Sequence, residues 1–145
     1  MKNNTIEHYI ANGFKYVGLL TKSETSSKKH KTDIKWTEDF YPEKKMGVYI
    51  IALDNEVLKI GETQNMRDRF SCYESHNGPT NTMVRESMEW EEVYKVLFLE
   101  CPSFEVTFGG VKVPAGINYR ILEKKLIEQY VGQTGSLPKL NKGIQ

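Results

Sequence analysis

The sequence predicts a small α/β (α+β) domain with a mainly antiparallel three-stranded sheet flanked by helices, plus an inserted hairpin and an N-terminal helix. Two short β-branched, apolar runs flank Asp54-Asn55. Apolar residues recur at helical spacing in three other segments, and turn residues punctuate the boundaries. At 145 residues, 39% apolar and 27% charged, the chain is long enough to bury a core without staples, so one domain is expected over 1–145.

Asn4 or Thr5 is placed to cap a helix carrying Ile6, Tyr9, Ile10 and Phe14, ending near Gly13 or Gly18. Thr21 to Lys31 has loop composition with a basic bias, Lys22, Lys28, Lys29 and Lys31 standing against Glu24. Two readings are open: a solvated loop, or an arm whose lysines follow a phosphate backbone. Residues 1–45 are therefore assigned to the helix and lysine-rich arm, and 46–142 to the core.

Gly47 to Leu53 and Glu56 to Ile60 read as the first two strands, joined as a hairpin. Asn65 caps a helix over 65–73 that carries Met66, Arg69, Phe70 and Tyr73. Asn77-Gly78-Pro79-Thr80-Asn81 breaks it and opens a loop from Ser75 to Glu89, after which Trp90 to Glu100 reads as a third, more buried strand. Phe104 to Phe108 and Val111 to Val113 flank Gly109-Gly110, an inserted hairpin at about 103–115. A last helix spans Asn118 to Val131, with Ile121, Leu122, Lys125, Leu126 and Tyr130 as its stripe. Trp36 and Trp90 read as core or loop anchors.

Composition excludes several classes. No run approaches the roughly 20 apolar residues of a membrane span, and the polar start lacks a secretory pattern, so a cytoplasmic protein is expected with no membrane partner. Cys72 and Cys101 lack the CxxC spacing of a zinc or redox site and are read as reduced and structural. A net charge of +1 does not announce nucleic-acid binding in bulk, so any such footprint is local.

One grouping carries chemistry. If the first hairpin loop holds three residues, Tyr49 falls opposite Lys59 on one face; a two-residue loop would put them on opposite faces. Arg69 and Tyr73, four apart, share a helical face, and Glu123 on the last helix supplies a carboxylate for a hard cation. This set suits phosphodiester hydrolysis: a metal for the leaving alkoxide, an arginine for the phosphate and a tyrosine beside a lysine to orient or activate water. Since an unperturbed tyrosine has a pKa of about 10, Lys59 is expected to lower that of Tyr49. Glu128 competes as the ligand, but it points about 140° away from Glu123 on the helix. His76, just past the Arg69 helix, is a weaker candidate.

Gly47-Val48-Tyr49, Lys59-Ile60-Gly61, Arg69 with Tyr73, and Glu123-Lys124-Lys125-Leu126-Ile127 followed by Tyr130, Pro138 and Asn141 form an ordered series. It resembles the GIY-YIG nuclease superfamily over about 46–142, and Lys59 and Tyr73, where most members have tyrosine and many have histidine, resemble its small type II restriction endonucleases. The resemblance implies one-metal hydrolysis of double-stranded DNA at a specific sequence. Tyr49 would be general base or water-positioning group, Lys59 its support, Arg69 and Tyr73 the phosphate contacts, and Glu123 the ligand of Mg2+, with Mn2+ as a substitute. Gly47, Gly61, Asn141 and His76 would be supporting residues. A homodimer and a DNA methyltransferase encoded nearby belong to the same picture. The alternatives are a phage, mobile-element or repair nuclease, and a DNA-binding protein that has lost catalysis. A separate DNA-binding module would be expected of the former, and the chain ends four residues after Asn141.

Arg85 and Lys112 are expected to read bases, since direct readout commonly uses Arg or Lys on guanine. Replacing Lys28, Lys29 and Lys31 with alanine should reduce the slope of log binding constant against log salt by roughly 0.9 for each phosphate no longer neutralised. Titrating duplex DNA at several salt concentrations measures that slope, and an unchanged value identifies a merely solvated segment.

Overall fold

The computed structural model describes residues 4–25, 28–75, 79–89 and 92–141. In chain order these form α1 (Ile6–Ala11), β1 (Lys15–Thr25), β2 (Lys28–Trp36), β3 (Gly47–Leu53), β4 (Glu56–Thr63), α2 (Met66–Ser75), α3 (Pro79–Ser87), β5 (Val93–Glu100), β6 (Ser103–Phe108), β7 (Val111–Gly116) and α4 (Tyr119–Thr134). The main sheet is antiparallel and five-stranded, in the order β2-β1-β5-β3-β4, with β6 and β7 as a separate ribbon.

Three expectations need correction. Thr21–Thr25 and Lys28–Lys31 are not loop but the end of β1 and the start of β2, which widens the expected three strands to five. Lysine-rich sequence suits an edge strand, where charge discourages further pairing. The strand signal lay in the alternation: Thr32 is buried, Ile34 and Trp36 pack on the core, and Asp33 and Lys35 are exposed. Second, α1 stops at Ala11, and Phe14 follows Gly13, whose φ of 102° breaks the helix. Third, the expected loop from 75 to 89 contains α3. Pro79 opens that helix at the first position, where a missing N–H costs nothing, and Val84 and Met88 bury one side of it.

The sheet is covered on both faces. α2 and α3 pack on the face carrying Tyr49, Ile51, Leu58, Tyr94, Val96 and Phe98. α1 and α4 contribute to the opposite core with Val48, Ile50, Val57, Ile60 and Leu97. Asn65 Oδ1 caps α2 by accepting from Arg67 N at 3.1 Å, and Asn118 Oδ1 caps α4 by accepting from Arg120 N at 3.1 Å and Ile121 N at 3.2 Å. Ile127 and Tyr130 are the buried side of α4, whereas Ile121, expected in its stripe, is exposed.

The hairpin β3–β4 decides what faces α2. Leu53 pairs with Glu56 across a two-residue turn, Ala52 with Val57, and then Ile51 with Lys59 and Tyr49 with Gly61. Leu58 is therefore an extra residue, a β-bulge. The three-residue loop expected from sequence is absent, and Tyr49 does not oppose Lys59; the bulge nonetheless returns Lys59 to the same face as Tyr49.

β4 is an edge strand, and the C-terminal segment closes it. Leu140 N donates to Leu58 O at 2.8 Å; Asn141 Oδ1 accepts from Ile60 N, and Asn141 Nδ2 donates to Ile60 O, each at 2.9 Å. The Asn141 amide thus acts as one more strand residue. Asn141→Ala leaves both Ile60 backbone groups without it and should cost about 2 kcal/mol, lowering the melting temperature by roughly 4–8 °C. Thermal unfolding followed by circular dichroism checks this, and an unchanged midpoint would show that the clamp holds nothing.

Candidate active site

Tyr49 leaves β3 on the face covered by α2, and its cross-strand partner is Gly61. A Cβ at Gly61 would overlap the Tyr49 ring and hydroxyl, so only glycine leaves the ring room to lie across β4. A Cβ at Gly47 would overlap the Leu99 carbonyl oxygen. Each glycine thus stands where backbone and a neighbour approach closely.

The Tyr49 and Tyr73 hydroxyls are 2.6 Å apart, and Arg69 Nε donates to Tyr49 Oη at 3.1 Å. Arg69 and Tyr73 are one turn apart on α2, so the guanidinium lies over the ring, with Cζ 4.0 Å from the Tyr73 centroid. Arg69 Nη1 donates to Asn81 Oδ1 on α3 at 2.8 Å. A ring, a hydroxyl and an amide therefore fix the guanidinium in one orientation.

Lys59 is buried, with Nζ 3.5 Å from the Leu140 carbonyl oxygen. Burial and the charge of Arg69 bring its pKa down to about 8, against the pull of Glu123. Glu123 is half-buried on α4, where burial and the charge of Glu62 push its carboxyl up to about 7; Lys59 and a hydrogen bond from the Glu62 backbone act the other way. Tyr49 feels Arg69 and Glu123 together. The five residues Tyr49, Lys59, Arg69, Tyr73 and Glu123 are thus one electrostatically coupled group, drawn from β3, β4, α2 and α4.

Burial raises the Tyr49 pKa, and the charge that opposes the rise is that of Arg69. The expectation that Lys59 would lower it is corrected, for the physical reason that Lys59 opposes Ile51 while Arg69 touches the phenol directly. At neutral pH the Tyr49 hydroxyl keeps its proton. The partly accessible charges are Arg69, Glu62 and Glu123, with two phenols and an amine buried behind them.

Arg85 is corrected as a base reader: it is 7% exposed and donates to the Tyr73 carbonyl oxygen at 3.0 Å, which Thr32 Oγ1 also reaches at 2.8 Å. A cation at the carbonyl end of α2 favours that helix, so Arg85 supports the site from below. Lys112 is exposed on the ribbon. Lys28, Lys29 and Lys31 lie on β2, at the opposite sheet edge from β4, and their side chains, like the whole of His76, lie outside the described residues. Asn141 holds β4 through the Ile60 backbone, and its side-chain hydrogen bonds go there and not to the five.

Sequence reading missed Glu62 and Asn81. Alternation past Gly61 places residue 62 with Ile60 on the α4 side of β4, so Glu62 was within reach of pattern reasoning. Asn81 carried no signal, because its segment read as a loop.

No family model matches the sequence, and no curated protein matches it. Solved structures do share the fold. Restriction endonuclease HPY188I in complex with product DNA aligns with a TM-score of 0.57 and 12% identity, covering 95% of this chain and 85% of that one. A variant of bacteriophage T4 EndoII aligns with a TM-score of 0.58 and 17% identity, covering 92% of this chain and 96% of that one.

The Glu123 environment makes stability pH-dependent. A carboxyl whose pKa rises from 4.5 to about 7 on folding contributes stability below pH 4.5 that is lost as pH rises to about 7. Lys59, lowered from 10.5 to about 8, changes the balance only at higher pH. Glu123→Gln should therefore gain on wild type by a few degrees in melting temperature between about pH 5 and 7.5. Parallel melting curves in chelator would show it; a constant difference across that range refutes the coupling.

Proposed function

We propose that this chain is a divalent-metal-dependent endonuclease that hydrolyses phosphodiester bonds in double-stranded DNA, working as a type II restriction enzyme at a short specific sequence. The observation that carries the reading is the convergence of Arg69, clamped by Tyr49, Tyr73 and Asn81, with Lys59 and Glu123 from other elements. Perturbed ionisable groups concentrate where chemistry is done. The fold shared with a restriction endonuclease held with product DNA supports the same reading.

Among the described residues no three His, Cys, Asp or Glu side chains cluster as a metal cage. The donor set fits Mg2+ all the same: this ion keeps several waters and is commonly held by one or two carboxylates together with substrate phosphate. After burial, the charge of Glu62 is the next cause that raises the pKa of Glu123, and a dication would relieve that repulsion. Glu123 would hold Mg2+, or Mn2+ in its place, and the bound ion would neutralise charge on the reacting phosphate and the leaving oxygen.

The protein's own groups do the rest. Arg69, prevented from turning by its three contacts, offers a fixed charge to the phosphate as negative charge builds on its oxygens. Tyr49 keeps its hydroxyl in place through Tyr73 and Arg69 and orients the attacking water. Lys59, on the same face of β4 as the Tyr49 contact, supports Tyr49; its pKa of about 8 leaves it mostly charged at neutral pH, and the minor neutral fraction is the form that takes a proton from that water. The water oxygen bonds to phosphorus as its proton passes to the amine, the bond to the leaving oxygen breaks, and that oxygen takes up a proton from solvent water.

One domain, a homodimer on a palindromic site, a nearby methyltransferase gene and base reading through the 104–114 ribbon with Lys112 complete the restriction reading. A second reading, a phage nuclease of looser specificity, is favoured by the likeness to T4 EndoII. Loss of catalysis is opposed by the presence of both Arg69 and Glu123.

Glu123→Ala should lower cleavage of plasmid DNA by roughly 10²-fold to 10³-fold in Mg2+ while leaving duplex binding intact. Glu128→Ala is the control: that residue is exposed and pairs with Lys125 at 3.8 Å, so activity should stay near wild type. A folded Glu123→Ala protein that cuts as wild type does would refute the metal assignment.

A further inference from the structure

The β6–β7 ribbon stands outside the main sheet and divides its side chains by chemistry. Phe104 pairs with Ala115, Val106 with Val113 and Phe108 with Val111. Cross-strand partners share a face and side chains alternate along a strand, so these six lie together. The other face carries Ser103, Glu105, Thr107, Lys112 and Pro114. Such a pattern ordinarily marks one face of a sheet turned into a core. Here Phe104 is 58% exposed, Phe108 66%, Val111 62% and Val113 39%, and the next apolar residues along the chain, Ile117 and Ile121, are 56% and 58% exposed.

A two-stranded hairpin is marginal in water unless its apolar face is covered. The exposed area of Phe104, Phe108, Val111 and Val113 is on the order of 400 Å², within the range for the largest patch on a monomer. It is about half of the roughly 800 Å² that each partner buries in a standard interface, and exposed Ile117 and Ile121 follow it along the chain.

We propose that this face is the surface through which two copies of the chain associate, each ribbon packing its Phe104 and Phe108 against the apolar face of the other about a two-fold axis. The face's own chemistry selects the occupant. It carries no cation and no hydrogen-bonding side chain, so it offers nothing to phosphate oxygens or base edges. Lys112, the ribbon's one cation, is on the opposite face and stays free in the dimer. A surface without charge has no electrostatic complement; it fits another surface of the same kind, and an isologous contact provides one of equal size and shape. The net charge of +1 does not hold two copies apart. Exposed aromatic side chains at the centre of such a patch are the usual anchors of an interface.

The inference rests on the homodimer of the proposed function and names its surface, but it is measured without DNA or metal, so its failure is distinguishable from failure of the nuclease reading. Sedimentation equilibrium of the full chain from about 1 to 100 µM should show a reversible dimer. Phe104→Ser and Phe108→Ser should each weaken it, and together raise the dissociation constant by at least about 100-fold. Ile10→Ser, at an exposed apolar position on α1 (48%), should leave association unchanged. Circular dichroism confirms folding; should the double variant misfold, Phe108→Ser, beside the Gly109-Gly110 turn, decides alone. A wild-type protein that is monomeric throughout, or folded serine variants that associate as wild type does, overturn the proposal. So does a monomer in which the same substitutions weaken duplex binding, which would make the face a DNA contact.

Discussion

A single extra residue in β4 sets the geometry on which the rest of the structure depends. Between the turn at Asp54-Asn55 and Gly61, Leu58 has no counterpart on β3, and this bulge changes which side chains share a face. Without it, period-two alternation would turn Lys59 away from Tyr49. With it, Leu58 packs under α2, Lys59 and Gly61 follow on the same side, and Ile60 returns to the α4 side. The edge strand therefore serves two layers: its α2 side carries the amine and the glycine seat for Tyr49, and its other side meets the helix that carries Glu123. The C-terminal clamp of Leu140 and Asn141 falls on the bulged stretch itself, at Leu58 and Ile60.

Charges held this way oppose folding unless they are partnered. Lys59 is buried and lies within the field of Arg69, and both effects disfavour its proton. Glu123 faces the same conflict with Glu62. A chain optimised for stability alone would replace such groups with apolar side chains, since buried charge is weak evidence of stabilisation. Their presence, together with the three-sided clamp on Arg69, is what the proposed function explains: on that reading the site is prepared for a negatively charged reactant. The same economy shows in Arg85, whose charge goes to the carbonyl end of α2 and steadies the helix that carries Arg69 and Tyr73.

The ribbon adds a second kind of specialisation. The five-stranded sheet buries both its faces against helices, while β6 and β7 leave one apolar face open beside the start of α4. On the proposed readings, a core of fixed geometry and a two-sided ribbon would let the reacting groups and the contacts that select partners vary separately. At 12% and 17% identity, what this chain has in common with its structural neighbours is the frame. Function rests on the site built into it.

The sequence by itself determined the elements whose signals are local. Paired apolar runs around Asp54-Asn55 specified β3 and β4, Asn65 announced α2 through its capping chemistry, apolar spacing announced α4, and Gly109-Gly110 marked the ribbon turn. Ordered spacing of Tyr49, Lys59, Arg69, Tyr73 and Glu123 identified the five residues that the fold couples together. Tertiary structure decided what depends on partners distant in the chain. The β2 strand reads as loop until β1 pairs with it, because an edge strand tolerates lysine. Asn81 acquires meaning only when α3 brings it to Arg69, and Arg85 only when Tyr73 presents a carbonyl to it. The bulge at Leu58 left no mark in the residue pattern, since it arises from registering β4 against β3 and the C-terminal segment at once. Local propensity acts over a few residues; register, burial and the electric field at a side chain are sums over the whole fold.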